Sequence, residues 1–178
     1  DDNPFSTDPI VQLNFAETLS MLGHFEKALP YFQKGLQSDQ DLDGLFRYGL
    51  TAYKANDFEK TIDAFTKLQK LDPQYSTLYP MLANAYVETN NIDKAIEILK
   101  EGLRHDEQND ELYFLLSQLH LKKGEKELAE QLLQKSFALN SPTIEEIQFY
   151  INFLKEEQRY EDIAEFILEL KERHDDQD

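Results

Sequence analysis

The chain has 178 residues, 40% of them hydrophobic, with 12 Phe and 9 Tyr and no Cys or Trp. That apolar content can build a core, which excludes a disordered chain, and the lack of Cys excludes disulfides, thiolate metal sites and cysteine nucleophiles. The formal charge is −17, with 35 acidic against 18 basic residues; such a surface repels nucleic-acid phosphates and anionic headgroups, so neither is expected as a partner, and the charge is read as keeping an elongated array soluble, with a basic protein or peptide partner as the sharper alternative.

No run approaches the roughly 18 apolar residues that a membrane span needs. The chain opens DDNPF without Met, as a mature form or an excised fragment would. The absence of Cys suits a reducing compartment, and the cytoplasm is the expected location.

In chain order, residues 1–8 are polar and turn-like, the leader or cut edge of a preceding unit. From Pro9 onward one pattern recurs five times, restarting at Leu42, Ser76, Asp110 and Ile144, at intervals of 33, 34, 34 and 34 residues. Each copy reads as two amphipathic helices around a short polar turn, and a fixed period of this size marks a stacked helical array. The units are 9–41, 42–75, 76–109, 110–143 and 144–178, together forming one array over 9–178.

In the first unit the helices are expected over about 9–22 and 25–38, with Gly23-His24 between them and a kink at Pro30. In the second, Asp57 caps the helix that starts at Phe58, and Leu71-Asp72-Pro73 ends it. Ser76 is the expected cap of the third unit, with Pro80 in its first turn, and Asp110 that of the fourth. Thr143 and Glu146 have the spacing of a capping box. The last helix, 160–174, is apolar on more than one face, which predicts either a covering segment or self-association through it. The polar end beyond it is expected to fray.

Small residues recur in phase: Ala16, Gly49, Ala83 and Ser117, then Ala28, Thr61, Ala95 and Ala129, then Gly35, Gly102 and Ser136. Bulky ones accompany them at Phe32, Phe65, Leu99, Leu133 and Ile167, and the turn position holds Gly23, Asn56, Asn90, Gly124 and Gln158. This pattern resembles the tetratricopeptide repeat (TPR) family, with small residues at repeat positions 8, 20 and 27 and bulky ones around them. Leu68 departs from it, as do Ile151, Ile163 and Leu170, which occupy all three small positions of the last unit. Its helices are expected to sit further apart or to cross differently.

The resemblance implies an all-α, right-handed α-solenoid of five helix-turn-helix repeats, whose concave face is lined by the first helices at positions 2, 5, 6, 9, 12 and 13. Position 9 holds Glu17, Leu50, Asn84, Gln118 and Asn152, and the last three form an expected line of side-chain amides, each able to donate to and accept from a peptide backbone. Beside it, Leu13, Phe46, Met81, Phe114, Leu115 and Phe149, with Tyr53, form an apolar stripe of the kind that marks an interaction surface. Asn14 and Arg47 share position 6 of that face. A clamp for C-terminal carboxylates, known in the family, is not matched here: of the corresponding side chains only Arg47 is basic.

Asp39 to Gly44 matches the first half of a calcium loop, but Leu50 stands where a bidentate Glu is needed. No phosphate loop or nucleophile motif appears, and His120 is read as a packed core residue. The expected function is a non-enzymatic scaffold, without cofactor or metal, that binds a protein or peptide segment in its groove. The alternatives are a peptide-sensing module of a larger receptor and an assembly subunit of a multiprotein complex.

Overall fold

The computed structural model describes residues 7–36 and 41–175, among which are ten α-helices and no strand. They form five hairpins: α1 Pro9–Met21 with α2 Phe25–Gly35, α3 Leu42–Lys54 with α4 Phe58–Leu71, and α5 Leu78–Glu88 with α6 Ile92–His105, then α7 Asp110–Lys122 with α8 Lys126–Leu139 and α9 Ile144–Glu156 with α10 Tyr160–Asp175. Most of the predicted leader, the expected end of the second helix at 37–38, Asp39 of the calcium-like stretch and the last three residues lie outside the described residues.

Every internal turn is built alike. Gly23, Asn56, Asn90, Gly124 and Gln158 all have a positive φ, between 57° and 80°. Each is followed by a residue whose N–H reaches back five positions: His24 to Leu19, Asp57 to Ala52, Asn91 to Tyr86, Glu125 to His120 and Arg159 to Leu154, at 2.7–2.9 Å. The left-handed residue itself donates to the carbonyl three back, at 2.8–3.0 Å. This is the Schellman arrangement, which satisfies helix-end carbonyls while reversing the chain.

The helix starts follow local capping chemistry. Asp8 accepts from the N–H of Ile10 at 2.8 Å, Asp41 from Gly44 at 2.9 Å and Asp57 from Lys60 at 3.2 Å. Thr143 and Glu146 make the reciprocal capping box. Two expected caps move by one residue. Asn109, not Asp110, caps α7, because its Oδ1 reaches the N–H of Leu112 at 3.2 Å. Ser76 gives way to Thr77 before α5, since the Ser76 carbonyl is taken up in a turn by the N–H of Tyr79. α2 continues through the solvent-facing Pro30 and ends at Gly35.

The hairpins stack because small residues sit where backbones cross. Ala16, Thr61, Ala95 and Ser117 are fully buried, and Phe32, Phe65, Leu99 and Leu133 fill the gaps beside them. A Cβ on Gly49 would lie 2.5 Å from the Phe65 ring, and one on Gly35 would lie 2.6 Å from the Leu13 side chain. The last hairpin departs in the expected way. α10 lies less closely against α9 than any other second helix does against its first, and Ile151, Ile163 and Leu170 pack half-buried against the core between them.

First helices come close to one another, α3 to α5 and α5 to α7, closer than second helices do. That difference curves the stack so that the first helices line its inner face.

Candidate functional site

Two cups open on the inner face. The central one, about 390 Å³, is walled by Tyr53 of α3, by Pro80, Met81, Asn84 and Val87 of α5 and by Glu111, Leu115, Gln118 and Leu119 of α7, with Ala83 and Leu99 behind them. Its surface is mostly apolar, and its two amides come from successive first helices. The Asn84 side chain donates to the Tyr53 hydroxyl at 2.5 Å. That bond aims the Asn84 carbonyl oxygen away from Tyr53 and leaves it as an acceptor. Glu111 at the rim is the one charged side chain that lines this cup; burial raises its pKa, and neighbouring Asp110 raises it further.

The second cup, about 500 Å³, lies between α1 and α3 and is lined by Glu17, Ser20, Met21, Arg47, Leu50 and Lys54, with Phe25, Phe32 and Thr51. Its cations are already engaged. Arg47 pairs with Glu17 and, at 2.5 Å, with Asp43, and its pKa is raised, chiefly by the hydrogen bond to Glu17. Lys54 lies over the Phe25 ring. A partner carboxylate that approached Arg47 would meet Glu17 and Asp43 already paired with it.

Family models described as tetratricopeptide repeat match residues 13–76, 52–108 and 93–140. TPR repeat-containing protein YpiA of Bacillus subtilis (strain 168) is 33% identical over 161 residues, which are 90% of this chain and 38% of YpiA. This chain belongs to the tetratricopeptide repeat family. The DnaJ homolog subfamily C member 3 of Gallus gallus is 23% identical over 137 residues, 77% of this chain and 27% of that protein. The chain thus spans well under half the length of these two relatives. Among solved structures, MamA 41-end from Desulfovibrio magneticus RS-1 superposes with a TM-score of 0.77 over 96% of this chain and 97% of that one, at 18% identity. The Pseudomonas aeruginosa pilF structure gives 0.71 over 94% and 77%, also at 18%. Both likenesses concern the fold.

The TPR frame explains which predicted side chains meet. Tyr53, Met81, Asn84, Leu115 and Gln118 share the central cup, and Arg47 and Leu50 share the other. Asn14 and Asn152 are exposed but line neither cup. Of the expected amide line, Asn84 and Gln118 line the central cup, and Asn152 is exposed outside it.

Of the position-5 residues expected in the stripe, Phe114 is buried and Leu13 and Phe46 are half-buried. Phe114 is 7% exposed, in the core with Leu133 and Phe153 and edge-on to Phe149 at 5.4 Å. Phe46 stacks on Phe65 at 6.0 Å and meets Tyr75 at 5.0 Å, and Leu13 packs against Gly35. At about 100° per residue, position 5 points only some 60° from the buried position 8, whereas positions 6, 9 and 2 point 100–160° from it. Position 5 therefore turns toward the core in Phe114 and Phe46, while position 6 supplies Met81 and Leu115 to the central cup and Arg47 to the other; Phe149, also at position 6, packs against the core. The same geometry would have identified Glu111 at position 2, which the sequence reading left unnamed.

His120 is buried, as expected of a packed histidine, with Nδ1 at 2.5 Å from Glu125 across the turn. Among the described residues no helix is long and apolar enough to cross a membrane.

Proposed function

We propose that this TPR array binds a segment of a protein partner in its inner groove, anchored at the central cup. The family is one of protein–protein interaction scaffolds, and the reading here is a non-enzymatic one. The observation that carries it is the cup itself: an apolar hollow between Met81, Val87 and Leu115 with the amides of Asn84 and Gln118 at its side. An extended segment could place one aliphatic or aromatic side chain in the hollow and its backbone against the amides. Glu111 at the rim and the overall charge of −17 favour a basic residue beside that anchor.

The test is affinity capture of the partner, mapping of the bound segment, and measurement of its affinity for Met81→Glu and Leu115→Glu variants. A carboxylate in the hollow should weaken binding more than tenfold while the helical circular dichroism stays unchanged. A segment that binds these variants as tightly as the wild type would place recognition elsewhere on the array.

A further inference from the structure

The two cups of the inner face share α3 as a wall. Leu50 faces the cup between α1 and α3, and Tyr53, one turn further along the same helix, faces the central one. The Tyr53 hydroxyl accepts from the Asn84 amide at 2.5 Å. That leaves the Tyr53 O–H as a donor and the Asn84 carbonyl oxygen as an acceptor, neither with a hydrogen-bond partner among the described residues. A donor and an acceptor side by side match the C=O and N–H of a peptide backbone. An extended chain keeps both groups free, whereas an α-helix engages them internally. Charge differs between the cups. Glu111 lines the central one. In the other, Arg47 is paired with Glu17 and Asp43, but Lys54 lies over the Phe25 ring with no carboxylate in ion-pair reach among the described residues.

We propose that one extended partner segment spans both cups, with an apolar side chain in each and its backbone held over α3 by Tyr53 and Asn84; this rests on the groove reading above and adds the second anchor, the spacing and the polarity. A basic residue of the segment lies toward Glu111 and an acidic one toward Lys54. Neighbouring first helices lie about 8–10 Å apart, which puts the hollow centred on α5 about 12–15 Å from the one between α1 and α3. An extended chain covers that distance in about four residues, and residues four apart point to the same side of it.

The probe is a phage-displayed library of random peptides, selected against the wild-type chain. Enriched sequences should carry two apolar residues about four positions apart, one flanked by a basic and the other by an acidic residue. Synthetic peptides of that pattern should bind about tenfold more weakly to Met81→Glu, to Met21→Glu and to Leu50→Ala, with the helical circular dichroism of each variant unchanged. Met21 is exposed, so its replacement leaves the core intact. Tyr53→Phe, which keeps the ring and removes the hydroxyl, should weaken binding severalfold. Exchanging the two charges of the peptide should weaken its binding to the wild type. Peptides that lose affinity at Met81→Glu but not at Met21→Glu or Leu50→Ala would confine binding to the central cup, overturning the two-cup segment while the groove reading stands. A selection that enriches another spacing, or nothing, would also overturn it. Peptides indifferent to Met81→Glu as well would overturn the groove reading itself.

Discussion

Asn84 and Tyr53, one repeat apart, are joined by a 2.5 Å bond from the Asn84 amide to the Tyr53 hydroxyl, which sets the orientation of an amide in the middle of the groove. Gln118, at the same position of the next repeat, shares the same cup, and Asn152 does not. The prediction separates the three. Asn84→Ala with Gln118→Ala should weaken binding of the mapped partner segment by about 1–3 kcal/mol, as two hydrogen bonds would. Asn152→Ala should change it by less than about 0.5 kcal/mol, as an exposed substitution remote from the contact does. Isothermal titration of that segment decides the matter; equal losses at all three positions would restore a continuous amide line and count against the cup as the anchor.

Most of the fold was legible because it depends on a repeated steric requirement. Close helix crossings need small residues, and Ala16, Ala83, Ala95 and Gly102 recur in phase at the crossings, with Leu68 and the last repeat as the departures. The turns were equally legible, since only a few residue types tolerate the left-handed region, and Gly and Asn fill four of five such positions. The groove was harder to read. Its apolar side chains and those of the core are the same residue types, and the difference is a rotation of about 40–100° around one helix. Phe114 and Leu115 are adjacent and both apolar, yet one is in the core and the other lines the cup. The two-faced character of 160–174 shows in the sequence, but the exposure of Phe15 shows only when it is compared with buried Tyr48 and Leu82 at the same repeat position.

Gly49 tests the crossing argument. An added methyl would lie 2.5 Å from Cε1 of Phe65, a ring with no exposed surface on which to retreat. Gly49→Ala should therefore destabilise the array by about 1–3 kcal/mol despite the better helix propensity of Ala. Phe65→Leu in the same chain should recover part of the loss, and urea unfolding of the single and double variants measures that coupling. A neutral or stabilising Gly49→Ala would show that α3 and α4 can separate freely.

Gln158 is the one turn residue that is neither Gly nor Asn, and it holds φ at 58°. A left-handed conformation costs an L residue with a Cβ roughly 1–2 kcal/mol, and replacement by Gly removes that strain while adding about 0.4–1 kcal/mol of unfolded-chain entropy. Gln158→Gly should thus stabilise the last hairpin by up to about 1 kcal/mol, whereas Gly124→Ala, with φ at 80°, should destabilise its own turn. Hydrogen exchange of the α9 and α10 amides would show the first effect as slower exchange. Faster exchange in Gln158→Gly would mean that the glutamine side chain contributes something its backbone strain conceals.

Tyr150 offers a pH signature for the α8–α9 junction. Its hydroxyl donates to Glu130 at 2.8 Å, and Glu130 also accepts from Arg159 at 2.7 Å, so the three tie α8, α9 and the final turn together. Burial is the main reason the phenol is pushed up to about 12, and the hydrogen bond to Glu130 adds to it. Between the ordinary value near 10 and about 12, the unfolded chain therefore releases a proton that the folded chain retains. Stability from this group is complete below pH 10 and is lost as pH rises through that window. Absorbance at alkaline pH should show a tyrosine that ionises near the top of the window in the wild type and is missing from Tyr150→Phe. Unfolding stability should also fall more steeply between those pH values in the wild type than in the variant. Identical alkaline slopes would show that the phenol ionises as freely in the folded chain as in the unfolded one, and that the Glu130–Tyr150 link does not hold in solution.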